Sequence, residues 1–303
     1  MATTMAAPVG NSITLAQKYL PLLDDVYKRE ALTNIFDNAA AEWVGVDTVK
    51  MMVVDPVGMG NYDRNAGYVP GDVDAGWETF QITQDRGRSY NLDYLDNEEY
   101  LGQLVGSTLG EVERRFVIPE VDAYRFAKWA GTANIDGATG SLAANTTKDA
   151  IFAAEASMDD NEVPYEGRIL FVNPTVYNYL KGEIEHRVIN IDKNVNYNVD
   201  IFDDMRVIRV PSARFNTAIT LANPSAHDGQ GGYTATGSTI NFMIVHPSAI
   251  LQVMKHYRLA LFTPNQVYDA DAYRLNIRYA HDTFVKTNKT KGVYVHAPST
   301  SSG

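Results

Sequence analysis

Apolar spacing divides the chain into segments of different period. From Asp24 the run DDVYKREALTNIF brings Val26, Leu32, Ile35 and Phe36 towards one face, with acidic residues leading and basic ones following as a helix dipole prefers. This predicts a short amphipathic helix. A helical signal also starts near Ser12 and is interrupted at Pro21, while the first ten residues are small and uncharged and read as a mobile arm. Residues 48–54 are β-branched and apolar, and 77–83 alternate, with Phe80 and Ile82 on one face. Between them stand Pro56, Gly58, Gly60, Gly67, Pro70, Gly71 and Gly76, too much punctuation for a helix. Strand, glycine-rich tip and strand predict one long hairpin over 46–92. Arms of about 15 residues would reach roughly 50 Å, whereas a compact chain of this length has a radius of gyration near about 19 Å. Such a hairpin projects beyond its own subunit and needs a cover.

Helical period then takes over. Asp96 can cap and Glu99 sits at the capping-box position, followed by Leu101, Leu104, Val105, Leu109, Val112 and Phe116 at helical spacing. Glu111 and Arg115 form a supportive i,i+4 pair. Pro119 predicts a bend, yet Val121, Tyr124 and Ala127 carry the period to Trp129, so the reading is one spine helix of about 30 residues. Residues 131–145 are small and polar, a loop. A helix from Thr147 (Ile151, Phe152, Glu155, Met158) leads to a turn at 159–164, a buried strand at 168–172 and a short helix from Asn173-Pro174 to Leu180. Two more buried strands, 205–210 and 240–245, flank a loop at 227–237. Strand patterns return over 251–297, and 298–303 form a polar tail.

Composition narrows the function classes. The 303 residues carry 26 Lys+Arg against 37 Asp+Glu, a formal charge of −11, and no cysteine. Disulfides, thiolate metal sites and cysteine nucleophiles are excluded. The acidic balance argues against a protein that coats phosphate backbones. The N-terminus has neither a basic n-region nor an unbroken apolar h-region, no stretch approaches bilayer length, and the expected compartment is a cytoplasm. The sequons at Asn145 and Asn288 are therefore chance matches.

Candidate chemistry is sparse. The Gly229-Gln230-Gly231-Gly232 run lacks the Lys-Ser/Thr of a phosphate loop, and Gly106–Gly110 is not a nucleophile elbow. His281-Asp282 resembles a metal-hydrolase doublet without partner histidines, and Glu183 with His186 would need a shared helical face to ligate metal. Asp159-Asp160 and Asp203-Asp204 read as turns. No cofactor is expected, and no catalytic or metal site. Surface features rise higher: 18 tyrosines, a residue that suits interfaces, and Arg86 and Arg88 bracketing Gly87, read as an ion-pair patch for carboxylates.

The segments FQITQDRGRSY (80–90), VERRFVIPEVDAYR (112–125) and FVNPTVY (171–177), in this order of arm, hairpin, spine, α/β unit and returning strands, resemble the major capsid protein of tailed bacteriophages, the Hong Kong-phage fold shared with herpesvirus shells and encapsulins. The resemblance implies an α+β chain: an N-terminal arm (1–35), a peripheral domain with the spine helix (36–45, 93–134 and 249–297), an extended hairpin loop (46–92) lying over a neighbouring subunit, an axial α/β domain (135–248) and a flexible tail (298–303). It implies self-assembly as hexamers and pentamers into an icosahedral or prolate shell in a host bacterial cytoplasm. Its partners would be the portal, scaffolding and decoration proteins, with double-stranded DNA enclosed rather than bound by sequence, and no membrane. The residues expected to make inter-subunit contacts are Asn61, Tyr62, Asp63, Arg64 and Tyr68 at the hairpin tip, Arg86 and Arg88 at its base, and Glu111, Arg114, Arg115, Glu120, Asp122 and Arg125 on the spine. Residues 51–92 contain no lysine, which predicts noncovalent locking. The short arm after Met1 predicts that any scaffolding is a separate protein. An encapsulin-like compartment shell is the alternative, and a soluble enzyme or binding module a more distant one. The acidic excess would suit a shell lining that lets a genome pack and leave.

Overall fold

The structure, a computed structural model, describes residues 31–37, 42–44, 48–65, 67–94, 104–192, 195–224, 229 and 231–298. The helical signals of 12–30 and the Asp96–Glu99 helix start lie outside these residues. Three strands, β1 (Glu42–Val44), β2 (Thr48–Pro56) and β3 (Val73–Gln81), form an antiparallel sheet, followed by β4 (Gln84–Asp93). The spine comprises α1 (Leu104–Val112), a π turn (Glu113–Val117) and α2 (Ile118–Ala130). Then come β5 (Asp136–Thr139), α3 (Thr147–Asp160), β6 (Ile169–Val172), α4 (Pro174–Leu180), β7 (Glu185–Asp192), β8 (Val195–Phe202) and β9 (Met205–Arg209). A small hairpin of β10 (Ile219–Leu221) and β11 (Tyr233–Ala235) precedes β12 (Phe242–Val245), the long strands β13 (Ile250–Phe262) and β14 (Ala272–Val285), and β15 (Val293–Ala297).

Two sheets carry the architecture. A seven-stranded mixed sheet has the order β5-β15-β12-β6-β9-β8-β7. Its central strands read ILFV and FMIV and are buried at every position, because both faces are covered. Phe171, Met243 and Val245 face Phe126 and Trp129 of α2, whereas Leu170, Val172, Phe242 and Ile244 face Ile151 and Met158 of α3 and Val176 and Leu180 of α4. The second sheet, β13-β14-β4, is antiparallel. Leu259, Leu261, Leu275 and Ile277 on it pack against Leu109, Val112, Val117, Ile118 and Val121 of the spine. One helix thus serves both cores, its first part on the long sheet and its last turns on the mixed one.

Pro119 explains the π turn. Proline has no N–H, and its ring clashes with the carbonyl four residues back. Widening the preceding turn, with the Ile118 N–H donating to the Glu113 carbonyl, accommodates the ring without breaking the helix. The bend expected at Pro119 is therefore a local widening within a helix that runs from Leu104 to Ala130.

Several expectations are corrected. The helix predicted to reach Phe36 ends, in its described part, as a single 3₁₀ turn (Asn34–Phe36) with Phe36 buried and Ile35 exposed. The hairpin's paired arms are β2 and β3, nine residues each, so its paired part is about 30 Å long. β4 leaves it and pairs with β14. Residues 293–297, grouped with the peripheral strands, pair instead with β12 and β5 inside the mixed sheet. Glu183 and His186 share no helical face: Glu183 accepts from Lys148 Nζ (3.0 Å) after α4 has ended, and His186 lies in β7 with its Nδ1 2.7 Å from Asp200 Oδ1. The β7–β8 hairpin and the short β5 had no counterpart in the sequence reading.

Candidate assembly surface

The hairpin is anchored at its base and bare beyond it. Val49, fully buried, packs with Leu251 and Val253, and Phe80 stacks on Phe284 with ring centroids 4.7 Å apart. Past this point Met52, Val54, Val57, Met59, Tyr62, Tyr68, Val69, Val73 and Trp77 are all exposed, Met59 and Tyr68 almost completely. Most of the large apolar side chains exposed among the described residues sit on this one projection. Apolar patches this concentrated mark sites that another surface covers. At the tip, Asp63 and Gly67 exchange backbone hydrogen bonds, and Gly67 takes φ +83°, a conformation that costs glycine nothing. The turn brings the Tyr62 and Tyr68 rings edge to face at 4.9 Å. The sequence over 48–81 adds Lys50 and Arg64 against Asp55, Asp63, Asp72, Asp74 and Glu78, so the projection is acidic as well as apolar.

Three buried polar networks fix where the hairpin leaves the body. In the turn from β3 to β4, Thr83 donates both its N–H and its hydroxyl to Asp282 Oδ2, each at 2.9 Å, and Tyr124 OH donates to Asp282 Oδ1 at 2.9 Å. Burial, then the Asp282 charge, pushes the Tyr124 hydroxyl up to about 12, so it stays a donor. His281 beside it is buried and its ring stacks on Tyr279. Burial, reinforced by Arg125 and Arg86, pushes its pKa down to about 3.

On β4, Arg86 donates to both oxygens of Glu120 (Nε 2.7 Å, Nη2 3.1 Å) and through Nη1 to the Ala222 carbonyl (2.8 Å), while Tyr279 OH donates to the same carboxylate at 3.0 Å. This bidentate geometry is the one arginine supplies and lysine cannot. The neighbouring Gly87 is required sterically: a Cβ there would stand 2.9 Å from the Ile277 carbonyl of β14. Arg88, half-buried, lines a cavity of about 520 Å³ with Tyr90, Phe116 and Gly231.

The third network ties 31–37 to the spine. Asp122, fully buried, accepts from Thr33 Oγ1 (2.7 Å) and from the Leu32 and Thr33 amides, with Arg214 Nη1 at 3.4 Å. Burial raises its pKa against the pull of Thr33, Leu32, Arg125 and Arg214. Arg125, also fully buried, donates to Thr33 Oγ1 (2.9 Å) and to Asp37 (3.3 Å), and Gln252 Nε2 donates to the Thr33 carbonyl and to Asp37.

The expected contact residues therefore divide. Asn61, Tyr62, Asp63, Arg64 and Tyr68 are exposed together at the hairpin tip, and Glu111, Arg114 and Arg115 are exposed on the spine. Arg86, Glu120, Asp122 and Arg125 are corrected: they are engaged within the subunit, and Glu120, Asp122 and Arg125 have almost no surface to offer a neighbour. Thr33, Asp37, Gln252 and Thr83 carry no local sequence signal of these roles, because their partners lie far away in the chain. The exposed apolar residues of the hairpin arms have a sequence signal in the register: Met52 stands opposite Trp77 and Pro56 opposite Val73, which puts them with Val54 on one face. His281-Asp282 belongs to the hairpin anchor, and no three metal-ligating side chains converge among the described residues. None of the described helices is long and apolar enough to cross a membrane.

No protein-family model matches the chain, and no curated protein matches it. Solved structures do. The capsid of the cyanophage P-SCSP1u superposes with a TM-score of 0.55 at 11% identity, covering 84% of this chain and 84% of that one. The mature capsid of bacteriophage PhiM1 gives 0.54 at 13% identity, over 84% and 83%. A virus-like particle from Pyrococcus furiosus gives 0.54 at 10% identity, over 93% of this chain and 99% of that one. The chain has the α+β fold of these shell structures.

Proposed function

We propose that this chain is the major capsid protein of a tailed bacteriophage, a structural protein rather than an enzyme, which assembles with copies of itself into a closed shell around double-stranded DNA. The carrying observation is the hairpin: an anchored projection whose exposed side chains are apolar and aromatic, on a fold shared with phage capsids. Fully burying a Val, Met or aromatic side chain is worth about 1.5–3 kcal/mol, so covering these residues yields a gross gain of roughly 10 kcal/mol per hairpin, less the cost of association. A neighbouring copy supplies the cover, and multivalency converts modest contacts into a shell that does not fall apart. In this reading β2 and β3 are the extended loop, the mixed sheet with α3 and α4 the axial domain, and the long sheet with the spine the peripheral domain. Hexamers and pentamers are the building units, portal, scaffolding and decoration proteins the partners, and the virion the destination.

The alternative reading, an encapsulin-like protein shell around a non-nucleic-acid cargo, predicts the same fold and a different content. Negative-stain microscopy of the purified protein, followed by nucleic-acid assay of the particles, tests both. Uniform shells that hold DNA when assembled with their phage partners support the first reading, shells loaded with a protein cargo the second, and a small monodisperse species refutes both. Noncovalent locking predicts that mature shells dissolve to single chains on denaturing gels; a covalent ladder refutes it.

A further inference from the structure

The register of β2 with β3 gives the hairpin two unlike faces. Met52, Val54, Val73 and Trp77 share one, while Asp74 and Glu78 stand on the other, Asp74 opposite Asp55 and Gly76 opposite Val53. Like charges directly opposite one another weaken a strand pair. Asp72 and Asp74 are exposed, and neither side chain has a hydrogen bond or ion pair among the described residues. Two such faces would repel each other, so the surface that meets this one must be basic. Exposed arginines and an exposed aromatic ring adjoin at the π turn of the spine. Arg114, Arg115 and Phe116 are three consecutive exposed residues between the buried Glu113 and Val117. The Arg115 guanidinium lies 6.0 Å from the centroid of the Phe116 ring, which is 47% exposed. Glu111 Oε2 stands 4.0 Å from Arg115 Nη1, one carboxylate against two guanidiniums. A similar pair, Lys148 over Phe152, borders a groove with Glu183, Glu185, Asp203 and Asp204, and that groove would repel an acidic face.

We propose that the acidic face of the hairpin, through Asp72 and Asp74, docks on the Arg114–Phe116 patch of a second copy of this chain. The inference rests on the shell reading above and names the surface that receives the hairpin. Charge complementarity selects the pairing: the hairpin carries an acidic excess and the patch a basic one, within a chain that is acidic as a whole. The π turn contributes by presenting both arginines and the ring side by side, and such turns recur at functional sites. Each copy gives one hairpin and offers one patch, so the contact is heterologous and repeats from copy to copy until the ring closes.

The chain has no cysteine, so introduced thiols report on this contact alone. A Cβ at Gly76, on the acidic face, meets nothing within 4 Å, and Glu111 is exposed beside the patch. Shells of the double variant Gly76→Cys/Glu111→Cys, treated with a short bifunctional maleimide, should yield chains joined in series, a ladder on denaturing gels. Either single variant should yield nothing beyond a dimer. Shells that give no ladder overturn the docking and leave the shell reading standing, whereas a wild-type chain that forms no shell overturns both. If the double variant does not assemble, charge reversal decides. Arg114→Glu with Arg115→Glu should lower the yield of shells roughly tenfold while leaving the Tm of the unassembled chain unchanged. Adding Asp72→Lys and Asp74→Lys to the same chain should restore the yield. An undiminished yield in the first variant, or no recovery in the second, overturns the proposal.

Discussion

Replacing Arg86 by Met separates a contact within the subunit from one between subunits. The guanidinium is one-fifth exposed and the Glu120 carboxylate almost fully buried, with side-chain accessibilities of 19% and 6%. Truncating one partner of such a pair typically costs about 3–5 kcal/mol, because the other charge is left buried. Tyr279 still donates to Glu120, which places the expected loss at the lower end, about 3 kcal/mol. The unfolding entropy of a chain this long is roughly 0.6 kcal/mol/K, so this corresponds to a fall of about 5 °C in Tm. Calorimetry or urea denaturation of the unassembled chain measures it. Glu120→Gln should cost about 2 kcal/mol, and the double variant R86M/E120Q should be no worse than R86M alone, since no unpaired charge remains. A coupling energy of about 2 kcal/mol would appear in that cycle. If R86M leaves the unassembled chain within 0.5 kcal/mol of wild type while abolishing shells, the pair's importance lies between subunits and the reasoning is refuted. Strictly additive single variants would refute it too.

Other substitutions should separate assembly from folding differently. Tyr68→Ser with Met59→Ser should leave unassembled stability within about 0.5 kcal/mol, because neither side chain is buried, yet sedimentation should show that shells no longer form. Gly87→Ala should destabilise by about 1–3 kcal/mol, as a methyl is forced against the Ile277 carbonyl; an unchanged denaturation midpoint would contradict that geometry. His281 is held at about 3, while the unfolded chain takes up this proton at about 6.5. Its contribution to stability is therefore complete above that value and lost as pH falls. Between pH 6.5 and 5 the loss is about 2 kcal/mol, and His281→Leu should flatten that part of the stability–pH curve. An identical slope in the variant would show that other groups titrate there.

What could be read from the sequence follows from how local each signal is. The hairpin, the spine and the strands 168–172 and 240–245 announced themselves through period and punctuation within a few residues. β15 did not, because its place beside β12 is a pairing between residues 50 apart, and nothing in VYVHA distinguishes one sheet from another. The β7–β8 hairpin was hidden by its asparagines and aspartates, residues that usually mark turns. Among the site residues, exposure at the tip was legible because 55–76 is too rich in glycine and proline to form a core. The fate of Glu120, Asp122 and Arg125 was not legible. All three look like surface charges on a helix, and they are buried because 31–37 and β4 return across that helix from elsewhere in the chain.

The clamp on 31–37 also defines a load path. A pull applied to the described segment 31–37 is taken up at Thr33 and Asp37. There it meets Arg125 and Asp122 on the spine and Gln252 on β13. Such a force is opposed by several buried hydrogen bonds. Tension on this segment would therefore be delivered to the helix from Leu104 to Ala130, the element that the two cores have in common.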